Sequence, residues 1–142
     1  MSQTGKKINR VPLIFPPVVN VQMTNNMCEL PLGIASLAAW IRERVEVFCL
    51  DAAQQGYHQI EKIPGGFVRY GLSDQEIINR VAEIKPDLVG FSCLFSDQFP
   101  IIRNLVDGVK KLDQSIITVA GGTHPSFLAE SCLRTTRLDY IV

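Results

Sequence analysis

The sequence lacks the short motifs by which several common cofactor and metal sites are identified. Its four cysteines form no Cys-x-x-Cys pair, which argues against a zinc ribbon, a thioredoxin-type redox pair and a clustered iron–sulfur site. No Gly-x-Gly-x-x-Gly follows the first apolar run, and no Gly-x-x-x-x-Gly-Lys-Ser/Thr occurs anywhere. A dinucleotide site and a P-loop phosphate site are therefore set aside.

An excess of charge and long apolar runs are also absent. Fourteen basic and fourteen acidic residues give a formal net charge of zero over 142 residues, so there is no electrostatic footprint for nucleic acid or an anionic membrane. No run is long enough to span a bilayer, and no apolar signal segment follows the polar segment 1–10. We therefore expect a cytoplasmic protein without a nucleic-acid or membrane partner, and a flexible segment over residues 1–10.

The composition, with 46% hydrophobic and 20% charged residues, is that of one globular domain. Cys49 and Cys93 lie within apolar, strand-like runs, and we expect both to be buried, reduced thiols. The last residues, Leu138–Val142, form a strand-like run without a polar tail. We expect the natural protein to continue beyond them.

Apolar strand-like runs alternate with helical runs along the chain. Strands are predicted at Val11–Phe15, Val45–Leu50, Leu88–Phe91, Ile116–Ala120 and Tyr140–Val142. Helices are predicted at Pro31–Arg44, Ser73–Ile84, Ile101–Leu112 and Ala129–Arg134. Mostly apolar strands that alternate with helices require a parallel sheet covered on both faces. We predict an α/β fold with a doubly wound, five-stranded parallel sheet of the flavodoxin-like or Rossmann-like kind.

Four connections after the predicted strands are long or rich in glycine. They are Pro16–Leu30, Asp51–Leu72, Ser92–Asp97 and Gly121–Pro125. We expect Val18–Leu30 to be a long irregular loop and Ala52–Leu72 to be a second long connection. Because the carboxyl ends of parallel strands meet at one edge of a sheet, all four connections lie at that edge. Doubly wound folds bind their ligands there, so the sequence predicts a ligand site at this edge.

The fourth connection begins with two adjacent glycines, Gly121 and Gly122. Glycine adopts positive φ angles and has no Cβ, so a ligand can lie flat against such a backbone. An ordinary strand-to-helix turn is the alternative interpretation. The third strand ends at Ser92, which is either a plain strand-end serine or a ligand contact.

Together, these residues resemble the cobalamin-binding domain. Ser92-Cys93-Leu94 is similar to its Ser-x-Leu motif, and Gly121-Gly122 is similar to its glycine pair. The resemblance implies that the nucleotide tail of cobalamin threads down beside the sheet, past the serine hydroxyl and over the glycines. The first-strand loop of that family normally carries Asp-x-His-x-x-Gly, whose histidine coordinates cobalt. This chain has no histidine between Phe15 and Leu32.

A subset of that family without the histidine is similar to this chain almost throughout. This subset is the N-terminal domain of cobalamin-dependent radical S-adenosylmethionine enzymes. Five segments look like its signatures, in the same order: Pro31–Ala39, Glu46–Ala52, Lys85–Ser92, Gly121–Pro125 and Asp139–Val142. The resemblance implies a cobalamin-binding domain over residues 11–142, followed in the same chain by a radical catalytic domain. The cluster motif Cys-x-x-x-Cys-x-x-Cys is absent here, so S-adenosylmethionine and the [4Fe–4S] cluster would belong to that further domain.

The resemblance also implies a function. The parent enzyme would be a methyltransferase in which cobalamin carries a methyl group to a substrate radical. This domain would bind cobalamin base-off, without a histidine ligand to cobalt, and would itself be non-catalytic and hold no metal ligand. A non-catalytic sensor or interaction module of flavodoxin-like topology is the alternative from another class.

The resemblance assigns cofactor contacts residue by residue. They are implied for Ser92, Leu94, Ser96, Gly121, Gly122, Thr123, His124, Asn26 and Pro31. His124 either touches the corrin amides or bonds to backbone, and we do not expect it to bind cobalt. Residues 25–28 either approach the lower axial face of the cofactor or form a solvated loop.

Overall fold

The computed structural model describes residues 7–21 and 29–142 of the chain. The strands in this part are β1 (Arg10–Phe15), β2 (Val18–Val21), β3 (Glu46–Asp51), β4 (Ile60–Ile63), β5 (Phe67–Tyr70), β6 (Leu88–Ser92), β7 (Ile117–Gly121) and β8 (Tyr140–Ile141). Five of them form one sheet in the order β3-β1-β6-β7-β8, and all neighbours in it are parallel. The predicted five-stranded, doubly wound sheet is therefore confirmed.

Helices cover both faces of this sheet. They are α1 (Leu32–Ile41), α2 (Ala52–Gln55), α3 (Asp74–Ile84), α4 (Phe99–Leu112), α5 (Thr123–Phe127) and α6 (Ala129–Thr135). α1 packs on β1 and β3, whereas α3 and α4 pack together on the opposite face. None of the helices in the described ranges is both long and apolar enough to cross a membrane.

The two faces of β1 explain how the sheet is held between these layers. Successive side chains of a strand point to opposite faces. Val11 and Leu13 therefore pack with Ile34 of α1, while Ile14 packs with Ile77 and other residues of the larger cluster under α3 and α4. All of these side chains are at least nine-tenths buried.

Both long connections contain regular structure. The prediction of an irregular loop over Val18–Leu30 was wrong for residues 18–21, which form β2, while residues 22–28 lie outside the described residues. Three strands from these connections form a second, antiparallel sheet in the order β2-β5-β4. Gly65 and Gly66, with φ angles of 90° and 80°, make the turn between β4 and β5. Val68 and Tyr70 bury their side chains. This burial stabilises the strands, although each of them is too short to be recognised in the sequence as an alternating apolar run.

The two ends of the segment that contains the hairpin β4–β5 meet at the carbonyl of Ala52. The carbonyl of Ala52 accepts hydrogen bonds from the amides of Gly56 (3.3 Å) and Leu72 (2.8 Å). A Cβ on Gly56 would lie 2.1 Å from the Leu72 nitrogen. The segment from residue 56 to residue 71 is therefore closed at its base, and only glycine fits at position 56.

A largely buried lysine joins the last two strands of the sheet to α4. Lys110, which is 6% exposed, donates from Nζ to the Ile116 carbonyl (2.7 Å) and to Asp139 Oδ2 (2.6 Å). The same carboxylate oxygen accepts from the Thr118 amide (2.7 Å) and hydroxyl (3.0 Å). Burial alone would raise the pKa of Asp139, but these hydrogen bonds and the Lys110 charge lower it.

The cysteines differ in exposure more than their sequence context indicates. Cys93 is buried, as predicted, and burial raises the pKa of its thiol to about 12. Cys132 of α6 is buried as well. Cys49 is exposed, so its predicted burial was wrong. It lies on β3, the edge strand of the larger sheet, where one side has no neighbouring strand.

Candidate functional site

An apolar groove of about 740 Å³ lies beside α1 on one face of the larger sheet. Its floor is formed by Leu13 of β1, Gly90 of β6 and Val119 of β7, and its wall by Ile34 and Leu37 of α1. Its volume is within the range of about 300–1,000 Å³ that is usual for sites of small molecules and cofactors.

The groove runs along β6, from the carboxyl edge of the sheet to the opposite edge. Ser92 and Gly122 lie at the carboxyl edge, which we call the mouth of the groove, and Leu88 and Arg44 lie at its foot. Four residue steps along β6 give a length of about 13 Å at about 3.3 Å per residue. The mouth therefore opens at the edge where the sequence predicts a ligand site.

The lining of the groove is hydrocarbon along nearly its whole length. Among the described residues that line it, only Ser92 at the mouth and Arg44 at the foot have polar side-chain atoms. The rest are glycine, valine, leucine, isoleucine and one phenylalanine. Such a lining favours an apolar, flat group, because a polar group buried there without a partner loses its hydrogen bonds to water.

Two glycines on neighbouring strands open the floor of the groove. Gly90 pairs with Val119, and Ser92 pairs with Gly121. A Cβ on Gly90 would lie 2.8 Å from Leu13 Cδ2, and one on Gly121 would lie 2.9 Å from Val142 Cγ2. Both positions therefore face the space beside α1. Sequence reasoning missed Gly90, although a glycine inside a strand often marks the close approach of a ligand or of another backbone.

Gly122 has a different reason to be glycine. Its φ angle is 112°, a region that side chains other than hydrogen disfavour. A Cβ at this position would lie 2.4 Å from the Cys93 carbonyl oxygen and so would point into the neighbouring loop. A side chain at position 121 would therefore occupy space in the groove. A side chain at position 122 would instead disturb the packing of the two loops at its mouth.

Ser92 is partly buried at the mouth of the groove. Among the described residues, no hydrogen bond occupies its hydroxyl. A hydroxyl can donate one hydrogen bond and accept two. Ser92 is therefore available to a polar atom that enters the mouth.

Ser96 and His124 form a polar contact beside the mouth. The Ser96 hydroxyl lies 2.8 Å from His124 Nδ1, and the imidazole packs on the Phe99 ring with a centroid distance of 4.7 Å. The amide of His124 also donates to the Cys93 carbonyl (3.3 Å). The loop after β6 and the loop after β7 are thereby held together.

The residues predicted as cofactor contacts fall into three groups. Those that line the groove are Ser92, Leu94, Gly121 and Gly122. Those that lie near it without lining it are Pro31, Ser96, Thr123 and His124. Asn26, together with the rest of segment 25–28, lies outside the described residues. The lining residues that only the structure identifies include Leu13, Leu37, Gly90 and Val119, which come from four separate elements.

The thiol nearest to the mouth is not a metal ligand at neutral pH. Burial raises the pKa of Cys93 to about 12, which disfavours the thiolate, the form that binds metals. Within residues 7–21 and 29–142, no three side chains of His, Cys, Asp or Glu gather in a way that could hold a metal ion.

The chain is similar to a known protein family and to known proteins. The family model of the B12 binding domain matches residues 24–142. The cytidylyl-2-hydroxyethylphosphonate methyltransferase of Streptomyces wedmorensis is 30% identical over 139 residues, which are 96% of this chain and 26% of that protein. An uncharacterized methyltransferase of Pyrococcus horikoshii is 22% identical over 90% of this chain and 25% of its own length. The chain thus spans about a quarter of the length of these relatives.

Solved structures agree with the fold. A cobalamin-binding protein from Desulfitobacterium hafniense superposes with a TM-score of 0.57 at 15% identity, over 94% of this chain and 52% of that one. A CheY-like protein from Pseudomonas aeruginosa superposes with a TM-score of 0.58 at 11% identity, over 94% of this chain and 86% of that one. At these identities the likeness is one of fold.

Proposed function

This chain belongs to the B12 binding domain family, and we propose that it binds cobalamin base-off, with the nucleotide tail in the groove beside α1. The groove carries this proposal. A tail released from cobalt needs an elongated slot that opens at the carboxyl edge of the sheet, where the corrin ring would lie. The groove opens at that edge and extends about 13 Å along β6.

The residues of the groove fit the tail. Gly90 and Gly121 add no side chains of their own to the floor, and aliphatic atoms of Leu13 and Val142 lie over these two positions. An aromatic base would pack on this aliphatic floor. The free hydroxyl of Ser92 is placed at the mouth to bond a polar atom of the tail. Leu37 and Ile34 of α1 exclude water from one side of the tail.

We propose that no histidine of the chain ligates cobalt. His124 already bonds Ser96 through Nδ1, and its ring packs on Phe99. His58 follows α2, where its ring meets the Tyr57 ring edge-on at 5.3 Å. The loop that would carry the usual histidine in the wider family contains none in this chain.

The parent protein is proposed to be a radical S-adenosylmethionine methyltransferase in which residues 11–142 form the cobalamin domain. Support comes from the relative in Streptomyces wedmorensis, a methyltransferase about four times as long as the shared region. When bound, cobalamin supplies a cobalt centre that can carry a methyl group. The residues of this chain bind and orient the cofactor, while S-adenosylmethionine and the [4Fe–4S] cluster are assigned to a following domain.

Titration of the 142-residue chain with hydroxocobalamin and methylcobalamin, followed by visible absorbance, tests the proposal. We expect saturable binding with a shift to the base-off spectrum. If a chain shown to be folded does not bind at tens of micromolar, the proposal is wrong, and a sensor or interaction module of the same fold is favoured instead.

A matched pair of variants tests whether the tail contacts Ser92 at the mouth of the groove. Ser92→Ala should weaken binding about two- to tenfold, because a net hydrogen bond contributes about 0.5–1.5 kcal/mol. Ser36→Ala, on the exposed side of α1, should leave the affinity unchanged. Equal affinities for the two variants would remove Ser92 from the site.

A further inference from the structure

We infer that the groove selects among cobamides by the base of the nucleotide tail, and accepts a benzimidazole in preference to a purine. Cobamides share the corrin ring and differ in this base. The inference rests on the proposed function, since it assumes that the tail enters the groove. It goes beyond that function because it states that the groove discriminates between cobamides with different bases.

The hydrogen-bonding needs of the two bases differ. A base-off dimethylbenzimidazole has one free ring nitrogen, which accepts a hydrogen bond, and is otherwise hydrocarbon. Adenine has an exocyclic amine that donates and additional ring nitrogens that accept. A site must therefore supply several polar partners to a buried adenine, or leave its groups unpaired at a cost in affinity.

In the part of the chain that the structure describes, the groove supplies very few hydrogen-bonding partners. Ser92 is a single hydroxyl at the mouth, and the lining below it is hydrocarbon down to Arg44. The guanidinium of Arg44 donates hydrogen bonds and accepts none, so it can meet a ring nitrogen of adenine but not its amine. One hydroxyl satisfies the single nitrogen of a benzimidazole but not the several polar groups of a purine.

The backbone amides and carbonyls of the floor are also engaged in hydrogen bonds between strands. Gly90 pairs with Val119, and Phe91 pairs with Ala120, in the parallel ladder between β6 and β7. Amides and carbonyls within a ladder bond to the neighbouring strands. The backbone of the floor therefore offers few free polar groups to the base.

Binding of three cobamide forms to the 142-residue chain tests the inference. The probes are cobalamin, pseudocobalamin, whose base is adenine, and cobinamide, which has no base. We expect cobalamin to bind at least about tenfold more tightly than pseudocobalamin, since unpaired buried polar groups are costly. We also expect cobinamide to bind more weakly than cobalamin, because it places nothing in the groove.

The outcomes separate this inference from the proposed function. If none of the three probes binds to the folded chain, the proposed function fails, and the inference fails with it. If cobalamin and pseudocobalamin bind equally and cobinamide binds more weakly, the tail enters the groove but the choice of base is disproved. If cobinamide binds as tightly as cobalamin, the tail does not use the groove.

A substitution on the floor gives a second, independent test. Val119→Thr keeps the shape of the side chain and places a hydroxyl midway along the groove, next to Gly90. It should weaken cobalamin binding and reduce the preference over pseudocobalamin at least about threefold. An unchanged preference in this variant would disprove the inference.

The matched control is Val47→Thr. Val47 is a partly buried strand valine that packs in the cluster under α1, and it does not line the groove. Both variants are compared by thermal unfolding before binding is measured, so that a loss of fold is not mistaken for a loss of affinity. The control should keep the wild-type preference between the two bases.

Discussion

The hydroxyl of Ser96 lies 2.8 Å from Nδ1 of His124, and this hydrogen bond joins the two loops at the mouth of the groove. Ser96 belongs to the loop after β6, and His124 lies in α5 after β7. The bond occupies one imidazole nitrogen, while Phe99 covers a face of the ring. His124 therefore helps to hold the two loops together beside the proposed site.

The first prediction concerns the axial environment of cobalt. Electron paramagnetic resonance of the chain loaded with cob(II)alamin should give no nitrogen hyperfine pattern from a histidine. The wild type, His58→Ala and His124→Ala should therefore have the same pattern. A nitrogen splitting that disappears in one variant would identify that histidine as the cobalt ligand.

The second prediction separates the two adjacent glycines. Gly121→Ala should fold with little loss of stability, because the added methyl meets only the exposed Val142 side chain. It should nevertheless weaken cobalamin binding about five- to 150-fold, since overfilling a packed site costs about 1–3 kcal/mol. Thermal unfolding and absorbance titration measure the two effects. Wild-type affinity in Gly121→Ala would mean that the tail does not pass this residue.

Gly122→Ala provides the contrast. Its φ angle of 112° and the Cys93 carbonyl oxygen, 2.4 Å from the added Cβ, both oppose a side chain. We expect a loss of about 1–3 kcal/mol in the free energy of unfolding, the usual range for a strained backbone. An equally stable Gly122→Ala would show that the loops at the mouth rearrange readily.

The third prediction concerns Lys110 and Asp139. Asp139→Asn leaves a largely buried ammonium without its anion and should cost about 2–4 kcal/mol, less than for a fully buried pair because Asp139 is partly exposed. Lys110→Met removes the cation, but the partly exposed carboxylate keeps its hydrogen bonds from Thr118, so this variant should cost less. Urea unfolding of both variants measures the difference. The reverse order would mean that the lysine reaches water when its partner is lost.

The same pair gives a dependence on pH. The pKa of Asp139 in the folded state is below its ordinary value of 3.8. The stabilisation by this carboxylate is therefore complete above that value and is lost as the pH falls through the lower, folded-state pKa. Stability curves between about pH 5 and pH 2 should fall less steeply for Asp139→Asn than for the wild type.

The fourth prediction concerns thiol reactivity. Cys49 is exposed, whereas Cys93 and Cys132 are buried, and burial raises the pKa of the Cys93 thiol to about 12. Since the thiolate is the reactive form, iodoacetamide at pH 8 should label Cys49 before the other two. Mass spectrometry of the digested protein measures the order. Early labelling of Cys93 would mean that the core cluster under α3 and α4, in which this side chain packs, opens in solution.

Much of the fold follows from local patterns in the sequence. The run Ile117–Gly121 is apolar and β-branched up to its glycine, and it forms a strand ending there. The apolar positions of α4 recur with helical spacing, and Ile101, Leu105 and Val109 are buried as that spacing predicts. Leu112, the last residue of the same predicted face, is exposed instead. These elements are predictable because each one buries a single face against the same core.

The small antiparallel sheet was not predictable from the same patterns. β4 contains Glu61 and Lys62, which break an apolar run, and all three of its strands are four residues long. The turn residues Pro64, Gly65 and Gly66 were the available signal for a hairpin. The burial of Tyr70 outweighs the weak local preference of these strands.

The groove was predictable only in part. Ser92 and Gly121 were identified because each follows a strand in a motif, and they lie at the mouth. Leu13, Leu37 and Val119 look like ordinary core residues in the sequence. Their exposure to the groove depends on how α1 sits on the sheet, which is a tertiary property that no local spacing contains.

The closed base of the hairpin between Gly56 and Gly71 bears on how homologous chains can differ in length. Because the backbone returns to the Ala52 carbonyl within hydrogen-bonding distance, residues can be added or removed at the turn without moving the larger sheet. Doubling a flexible loop costs only about 0.6 kcal/mol in closure entropy. Insertions and deletions among relatives should therefore gather at residues 64–66, while positions 56 and 71 keep their glycines and fix where the variable segment begins and ends.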